Sequence, residues 1–107
     1  MTSSNLSDAI DHFSINVADI QSSINWYMTS FNCSVLYQDN KQAILQFANV
    51  KLALTLPSVL PPHIALARDD AATLGELRKR ADGTSSTFIS DPTGNPVEIV
   101  GVPVEVK

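Results

Sequence analysis

The sequence predicts an α+β domain in which two copies of one strand–helix–strands unit share a single sheet. The 107-residue chain is 44% hydrophobic and 17% charged, which is typical of one folded domain with its own core. Its segments alternate between the apolar period of strands and that of helices. In addition, residues 11–19, DHFSINVAD, align with residues 62–70, PHIALARDD. Each stretch has His, apolar residues one and three positions later, and Asp at the seventh position, so the chain contains an internal repeat.

The first half of the chain begins with a strand and a helix. Residues 10–17 alternate between apolar and polar side chains, as a half-buried strand does. Asp19 can cap a following helix, because apolar residues then recur at helical spacing. These residues are Ile24, Tyr27, Met28 and Phe31. We expect residues 1–9, which precede the strand, to be a disordered, serine-rich terminus.

The same order of elements then continues and repeats. The remaining strands of the first half are predicted at residues 34–37, 42–47 and 50–56, and residues 57–62 are a linker. The second half is predicted to have strands at residues 62–67, 86–90 and 96–102, and a short tail strand at 104–106. Its helix begins after Asp69 or Asp70, runs to Ala81 and stops at Gly83. We therefore expect a single domain over residues 10–101, built from repeats 10–57 and 62–101.

Charge and composition exclude several classes of partner. The net charge is −4, and the basic residues are dispersed except for Arg78-Lys79-Arg80, which we expect on the solvated face of the second helix. Nucleic acid is therefore not an expected partner. No apolar run approaches the roughly 18 residues of a membrane span, and the first residues lack the pattern of a signal peptide. The single cysteine, Cys33, excludes an internal disulfide, so we expect a cytoplasmic protein.

Strand parity brings the only two histidines and one glutamate to the same face of the sheet. Residues two apart on a strand share a face, so His12, His63 and Glu98 all project away from the side on which the helices pack. A carboxylate in the apolar strand 96–102 needs a partner. Two imidazoles and one carboxylate suit a divalent metal such as iron, manganese, nickel or zinc. The alternative is a hydrogen-bonded cluster in which Glu98 is only an ion-pair partner.

Three stretches resemble the vicinal oxygen chelate superfamily, which includes glyoxalase I, extradiol dioxygenases and bleomycin-resistance proteins. They are DHFSINVADIQSSINWY, PPHIALA and FISDPTGNPVEIVG. The resemblance implies two βαβββ modules that form a cup-shaped mixed sheet with the helices outside. The second module is shortened to about βαββ, because only residues 82–85 separate its helix from the next strand. The resemblance also implies a homodimer, with His12, His63 and Glu98 as metal ligands and Glu98 as a catalytic residue.

By the same resemblance, the function is the binding of a small substrate through two neighbouring oxygens, with the metal as Lewis acid. Ser14, Asn16 and Thr55 would orient that substrate. The position at which such proteins often have a fourth ligand is Ala53, which cannot bind a metal. A third histidine, which extradiol dioxygenases need, is absent from the sequence. No single subfamily fits all of these residues, so lyase, isomerase, transferase and dioxygenase reactions all stay open.

Two other functions are compatible with the sequence. One is a metal-free protein that binds a small molecule, as bleomycin-resistance proteins do. Trp26, the only tryptophan, lies beside the helix stripe and would face solvent or a second chain. The other is a degenerate member of the superfamily with a structural or regulatory role.

Overall fold

A computed structural model describes residues 7–101, which form one α-helix, one 3₁₀ turn and eight strands. The first half comprises β1 (Ala9–Asn16), α1 (Ile20–Ser30), β2 (Ser34–Gln38), β3 (Gln42–Gln46) and β4 (Lys51–Thr55). The second half comprises β5 (His63–Arg68), the 3₁₀ turn (Ala71–Thr73), β6 (Arg78–Lys79), β7 (Ser85–Ser90) and β8 (Pro96–Gly101). The tail strand predicted at 104–106 lies outside the described residues, as do residues 1–6 of the predicted disordered terminus.

All eight strands belong to one mixed sheet, in the order β2-β3-β4-β1-β5-β8-β7-β6. From the centre outwards, each half places its first strand innermost, followed by its fourth, third and second strands. The central pair β1 and β5 is antiparallel, whereas β1 pairs with β4, and β5 with β8, in parallel. The sheet curls into a cup, so the predicted fold class, an α+β cup-shaped sheet, is confirmed.

The helix α1 covers the outer face of the first half and forms the core with it. Asp19 caps the helix as predicted, since its carboxylate accepts a hydrogen bond from the Ser22 backbone N–H at 2.8 Å. The core consists of buried residues on the helix and on the two strands beneath it, namely Ile20, Ile24, Ala43, Leu45 and Leu54. The predicted stripe is only partly correct, because Met28 and Phe31 are exposed. Trp26 is exposed as well.

The predicted second helix is wrong, and the strand that seemed to be missing is present. After the 3₁₀ turn the chain passes close to β7 at Gly75, where a Cβ atom would lie 2.4 Å from Thr87 Oγ1. A larger residue at position 75 would force Thr87 to move, and glycine also weakens a helix. The chain then forms β6, in which Arg78 pairs with Ser86. The second half is therefore shortened in its helix rather than in its strands, and the cup has a helix outside only one half.

The helix α1 has 11 residues. Within residues 7–101, no helix has the length and apolar character to cross a membrane.

Replacing Gly75 by alanine should destabilise the domain, because the new methyl group would overlap Thr87 in the buried part of β7. We expect Gly75→Ala to lower the free energy of unfolding by about 1–3 kcal/mol in urea titrations. Gly101→Ala is the matched control, since its Cβ would meet Leu77 Cδ1 at an ordinary 3.6 Å. Equal stability of the two variants would contradict the close approach of residue 75 to β7.

Candidate metal centre

The register of the central strands brings His12 and Glu98 together over a small residue. His12 on β1 lies opposite Ala65 on β5, and Ala65 lies beside Glu98 on β8. Ala65 is completely buried and projects only a methyl group. The longer side chains on either side of it therefore meet above it on the concave face. His63 is the first residue of β5 and pairs with Ser14, two residues along β1 from His12. Its side chain therefore projects from the same face of the sheet and also reaches Glu98.

The three side chains converge on one oxygen atom. Nε2 of His63 lies 2.9 Å, and Nε2 of His12 3.2 Å, from Oε1 of Glu98. One nitrogen or oxygen atom from each of the three residues falls within 4.8 Å of the others. The side chains of His63 and Glu98 are almost fully buried, at 1% and 6% exposure, and that of His12 is 14% exposed. Parity alone predicted this cluster, and the structure contains it.

The far nitrogen of each imidazole is held by a group that accepts a hydrogen bond. Nδ1 of His12 lies 2.8 Å from the Asp11 carboxylate, and Nδ1 of His63 lies 2.7 Å from the Pro61 carbonyl oxygen. Both Nδ1 atoms therefore carry the proton and donate it. Each Nε2 atom then points to the centre of the cup, where it can donate to Glu98 if the ring is protonated or bind a metal if the ring is neutral. This is the arrangement that orients histidines as metal ligands.

A β-bulge places Asp11 beside His12. The register between β1 and β5 shifts between Ile10 and His12, so Asp11 has no partner in the regular ladder. The shift lets both Asp11 and His12 project towards the cup, where Asp11 Oδ1 also binds Lys51 Nζ at 3.1 Å. Strict alternation along β1 would direct Asp11 to the other face, so the sequence pattern did not predict it at the site. Its position directly before a histidine of the repeat was the available signal.

Hydrogen bonds keep Glu98 ionised despite its burial. Burial by itself would raise the pKa of Glu98, but hydrogen bonds from His12, His63 and Ser86 outweigh it and lower the pKa below its ordinary 4.5. Burial opposes the charged form of His12 as well. Its hydrogen bonds to Asp11 and Glu98 nevertheless raise the pKa of His12 from 6.5 to about 9. In the metal-free protein, an imidazolium therefore stands against a carboxylate.

The cluster forms the floor of a cavity of about 260 Å³ on the concave face. Most of the residues that line it are charged or polar, and apolar side chains such as Ile44, Val59 and Leu60 complete the wall. Apart from the cluster itself, the charged and hydroxyl-bearing residues of the wall are Asp11, Ser14, Lys51, Thr55, Lys79, Arg80, Asp82 and Thr84. The segment after β6, which had been assigned to the solvated side of a helix, instead turns Arg80 into this cavity. Arg80 was missed because a helix was predicted over this segment, and Ser86 because its hydrogen bond to Glu98 forms between paired strands.

The three residues predicted to orient a substrate have different surroundings. Ser14 is buried, at 3% exposure, and lines the cavity. Its hydroxyl is the one buried side-chain polar atom in residues 7–101 without a hydrogen-bond partner. Thr55 also lines the cavity and binds the amide of Asn16 at 3.1 Å. Asn16 donates to the Leu60 carbonyl at 2.8 Å, so it ties the linker to the rim of the cup.

The stability of the metal-free protein should depend on pH through His12 and Glu98. The raised pKa of His12 contributes stability that is complete below pH 6.5 and is lost as the pH rises through about 9. The lowered pKa of Glu98 contributes stability that is present above 4.5 and is lost on acidification. We expect urea titrations to show greatest stability between these limits. Loss at the alkaline end should be on the order of 3 kcal/mol and should disappear in His12→Gln. A flat profile would contradict the pairing.

The two buried serines of the cup should respond oppositely to the loss of their hydroxyls. Ser14→Ala removes an unpaired buried hydroxyl, so the free energy of unfolding should stay the same or rise by about 1 kcal/mol. Ser86→Ala removes the hydroxyl that donates to Glu98 at 2.6 Å, so stability should fall by about 1–3 kcal/mol. Chemical unfolding of the metal-free variants measures both. Equal destabilisation would show that Ser14 has a partner within the protein.

Comparisons with known proteins establish the fold. No family model matches the sequence, and no curated protein matches it either. A hypothetical protein from Bacillus halodurans superposes with a TM-score of 0.70 at 18% identity, over 94% of this chain and 99% of the other. Methylmalonyl-CoA epimerase from Streptomyces coelicolor gives 0.69 at 20% identity, over 92% and 100%.

A third structure carries the name of the superfamily itself. It is a glyoxalase/bleomycin resistance protein/dioxygenase superfamily member from Vibrio splendidus, with a TM-score of 0.66 at 12% identity, over 90% of this chain and 100% of the other. These structures cover nearly the whole domain at low identity, so they describe architecture rather than activity. The chain has the fold of the glyoxalase/bleomycin resistance/dioxygenase superfamily, as its resemblance predicted.

Proposed function

We propose that this protein binds one divalent metal ion through His12, His63 and Glu98 and uses it to act on a small molecule with two neighbouring oxygens. The observation that carries the proposal is the convergence of two imidazole Nε2 atoms on one oxygen of a buried carboxylate. Because both Nδ1 atoms are already bound to acceptors, the Nε2 lone pairs of the neutral rings are directed into the cavity.

The residues fit a metal in chemistry and in spacing. Two imidazoles and a carboxylate are ligands for iron, manganese, nickel and zinc, and a three-residue set leaves coordination positions for a substrate. Bonds of about 2.0–2.2 Å to the metal place neighbouring ligand atoms roughly 3 Å apart. Glu98 Oε1 lies 2.9 Å and 3.2 Å from the two nitrogens, which matches that separation.

The bound metal would supply Lewis-acid polarisation of a substrate oxygen. The chain's own side chains would select and orient the substrate. The unpaired hydroxyl of Ser14 can donate a hydrogen bond to a ligand oxygen, and Thr55 offers a second hydroxyl on the same wall. Asn16 contributes indirectly by holding Thr55 and the linker. Glu98 is the carboxylate at the floor of the cavity and the proposed acid–base group.

The size of the cavity favours a small metabolite. About 260 Å³ lies below the roughly 300–1,000 Å³ typical of sites for drug-sized ligands. A lyase, isomerase, transferase or dioxygenase reaction could start from such a complex. We also propose that the protein is cytoplasmic and forms a homodimer. Sedimentation equilibrium would measure the number of chains in the assembly.

A metal-free binding protein is the second candidate, and one observation favours it. The distances from Glu98 Oε1 to the two Nε2 atoms are also hydrogen-bond distances. A protonated His12 would then donate from Nε2 to Glu98 without a metal, in agreement with the raised pKa of His12. In that case the cup would bind its ligand through Ser14, Thr55 and the charged rim alone.

Metal titration distinguishes the two candidates. Protein freed of metal with a chelator is titrated with iron(II), manganese, nickel and zinc by calorimetry, alongside Glu98→Gln and His12→Ala. We expect one ion per chain in the parent, and at least a roughly 100-fold loss of affinity in both variants. Glu76→Gln is the matched control, since Glu76 is exposed and outside the cavity, and it should bind as the parent does. Circular dichroism checks that each variant is folded.

Either of two results would reject the metal proposal. The first is a parent protein that takes up none of the four ions. The second is a folded Glu98→Gln variant that retains the parent's affinity. The first result, combined with calorimetric binding of a small molecule to the metal-free parent, would establish the metal-free binding protein instead.

A further inference from the structure

We infer that Arg80 is a positioning residue for both ligands of the second half, because it contacts Ser86, which binds Glu98, and Phe88, which packs against His63. This inference rests on the proposed function, in which Glu98 and His63 bind the metal. Arg80 follows β6 in the tight turn to β7, where its backbone N–H donates to the Thr84 carbonyl at 2.7 Å. The turn therefore fixes the backbone from which the guanidinium reaches the cavity.

The first branch is a chain of hydrogen bonds with one possible direction. Arg80 Nε donates to Ser86 Oγ at 2.6 Å, and Ser86 Oγ donates to Glu98 Oε2 at 2.6 Å. A guanidinium has no acceptor and an ionised carboxylate has no donor. The single hydroxyl proton of Ser86 must therefore point to Glu98. Ser86 is completely buried, so water does not compete for this proton.

This chain determines which oxygen of Glu98 faces the imidazoles. Oε2 is engaged by Ser86, and Oε1 is left at 2.9 Å and 3.2 Å from the two histidines. Arg80 Nε itself lies 3.9 Å from Oε2, which is too far for a direct hydrogen bond. Arg80 therefore acts on Glu98 through Ser86, and its charge strengthens the bond that Ser86 makes.

The second branch runs through an aromatic ring. The Arg80 guanidinium lies over the Phe88 ring, 5.3 Å from its centroid. The Phe88 ring meets the His63 imidazole edge to face, with centroids 4.9 Å apart and planes at 81°. His63 Nδ1 also donates to the Pro61 carbonyl oxygen at 2.7 Å. The ring of His63 is therefore restrained by a backbone acceptor and by a phenyl group that Arg80 covers.

The two halves of the cup support their ligands in similar ways. In the first half, Lys51 binds Asp11, and Asp11 binds His12. In the second half, Arg80 binds Ser86, and Ser86 binds Glu98. Each chain runs from a cation in the cavity wall, through one intervening side chain, to a ligand. Arg80 differs from Lys51 because its planar guanidinium engages Ser86 and Phe88 together, which an ammonium group cannot reproduce.

The test compares Arg80→Lys and Ser86→Ala with the parent in titrations with cobalt(II), whose visible absorption reports the geometry of its ligands. Both variants should bind cobalt(II) about 10–100-fold more weakly and show an altered spectrum. Arg78→Lys is the matched control, because Arg78 is exposed, lies outside the cavity and undergoes the same substitution on the same hairpin. It should bind cobalt(II) with the affinity and spectrum of the parent.

Parent-like affinity and spectra in folded Arg80→Lys and Ser86→Ala would overturn the inference. If the parent binds neither cobalt(II) nor any of the four ions named above, the proposed function fails, and measurements on the metal-free protein then test the inference separately. NMR would then compare the Glu98 carboxyl carbon and the His63 ring nitrogens at one pH. Shifts in both groups in Arg80→Lys, absent from Arg78→Lys, support the positioning role. Unchanged signals in Arg80→Lys overturn it.

Discussion

The buried carboxylate of Glu98 is the constraint on which the architecture of the cup depends. An ionised carboxylate at 6% exposure is costly unless every one of its oxygens has a partner. Here Oε1 faces two imidazoles and Oε2 accepts from Ser86. These partners come from β1, β5 and β7, so the register of four strands must be correct before Glu98 is satisfied. Satisfying one charge thus links both halves of the sheet.

Local backbone features make this meeting possible. Ala65 provides the low floor over which His12 and Glu98 approach each other. The bulge at Asp11 adds a carboxylate beside His12 that regular alternation would have directed to the other face. In the second half, the close approach of Gly75 to β7 replaces a helix with a hairpin, and this hairpin carries Arg80 into the cavity. The second half therefore lacks a long helix on its outer face, and its hairpin contributes to the wall of the cavity instead.

The sequence was sufficient for the fold class and for the cluster, but not for the elements of the second half or for the surroundings of the cluster. The repeat and the parity rule depend on local periodicity, and they correctly placed His12, His63 and Glu98 together. The second helix failed because its pattern was read without the Thr87 contact, which appears only when β7 lies beneath Gly75. Asp11 and Ser86 were not predicted at the site for a related reason. The bulge at Asp11 and the hydrogen bond from Ser86 to Glu98 exist only once the strands are paired.

The central claim is that His12, His63 and Glu98 jointly bind one divalent metal ion. The most direct test is a crystal structure of protein saturated with manganese or zinc, with diffraction recorded at the absorption edge of that metal. The account predicts one anomalous peak within bonding distance of His12 Nε2, His63 Nε2 and Glu98 Oε1. An anomalous map without a peak between these three atoms, in crystals that diffract well enough to define their side chains, would contradict it.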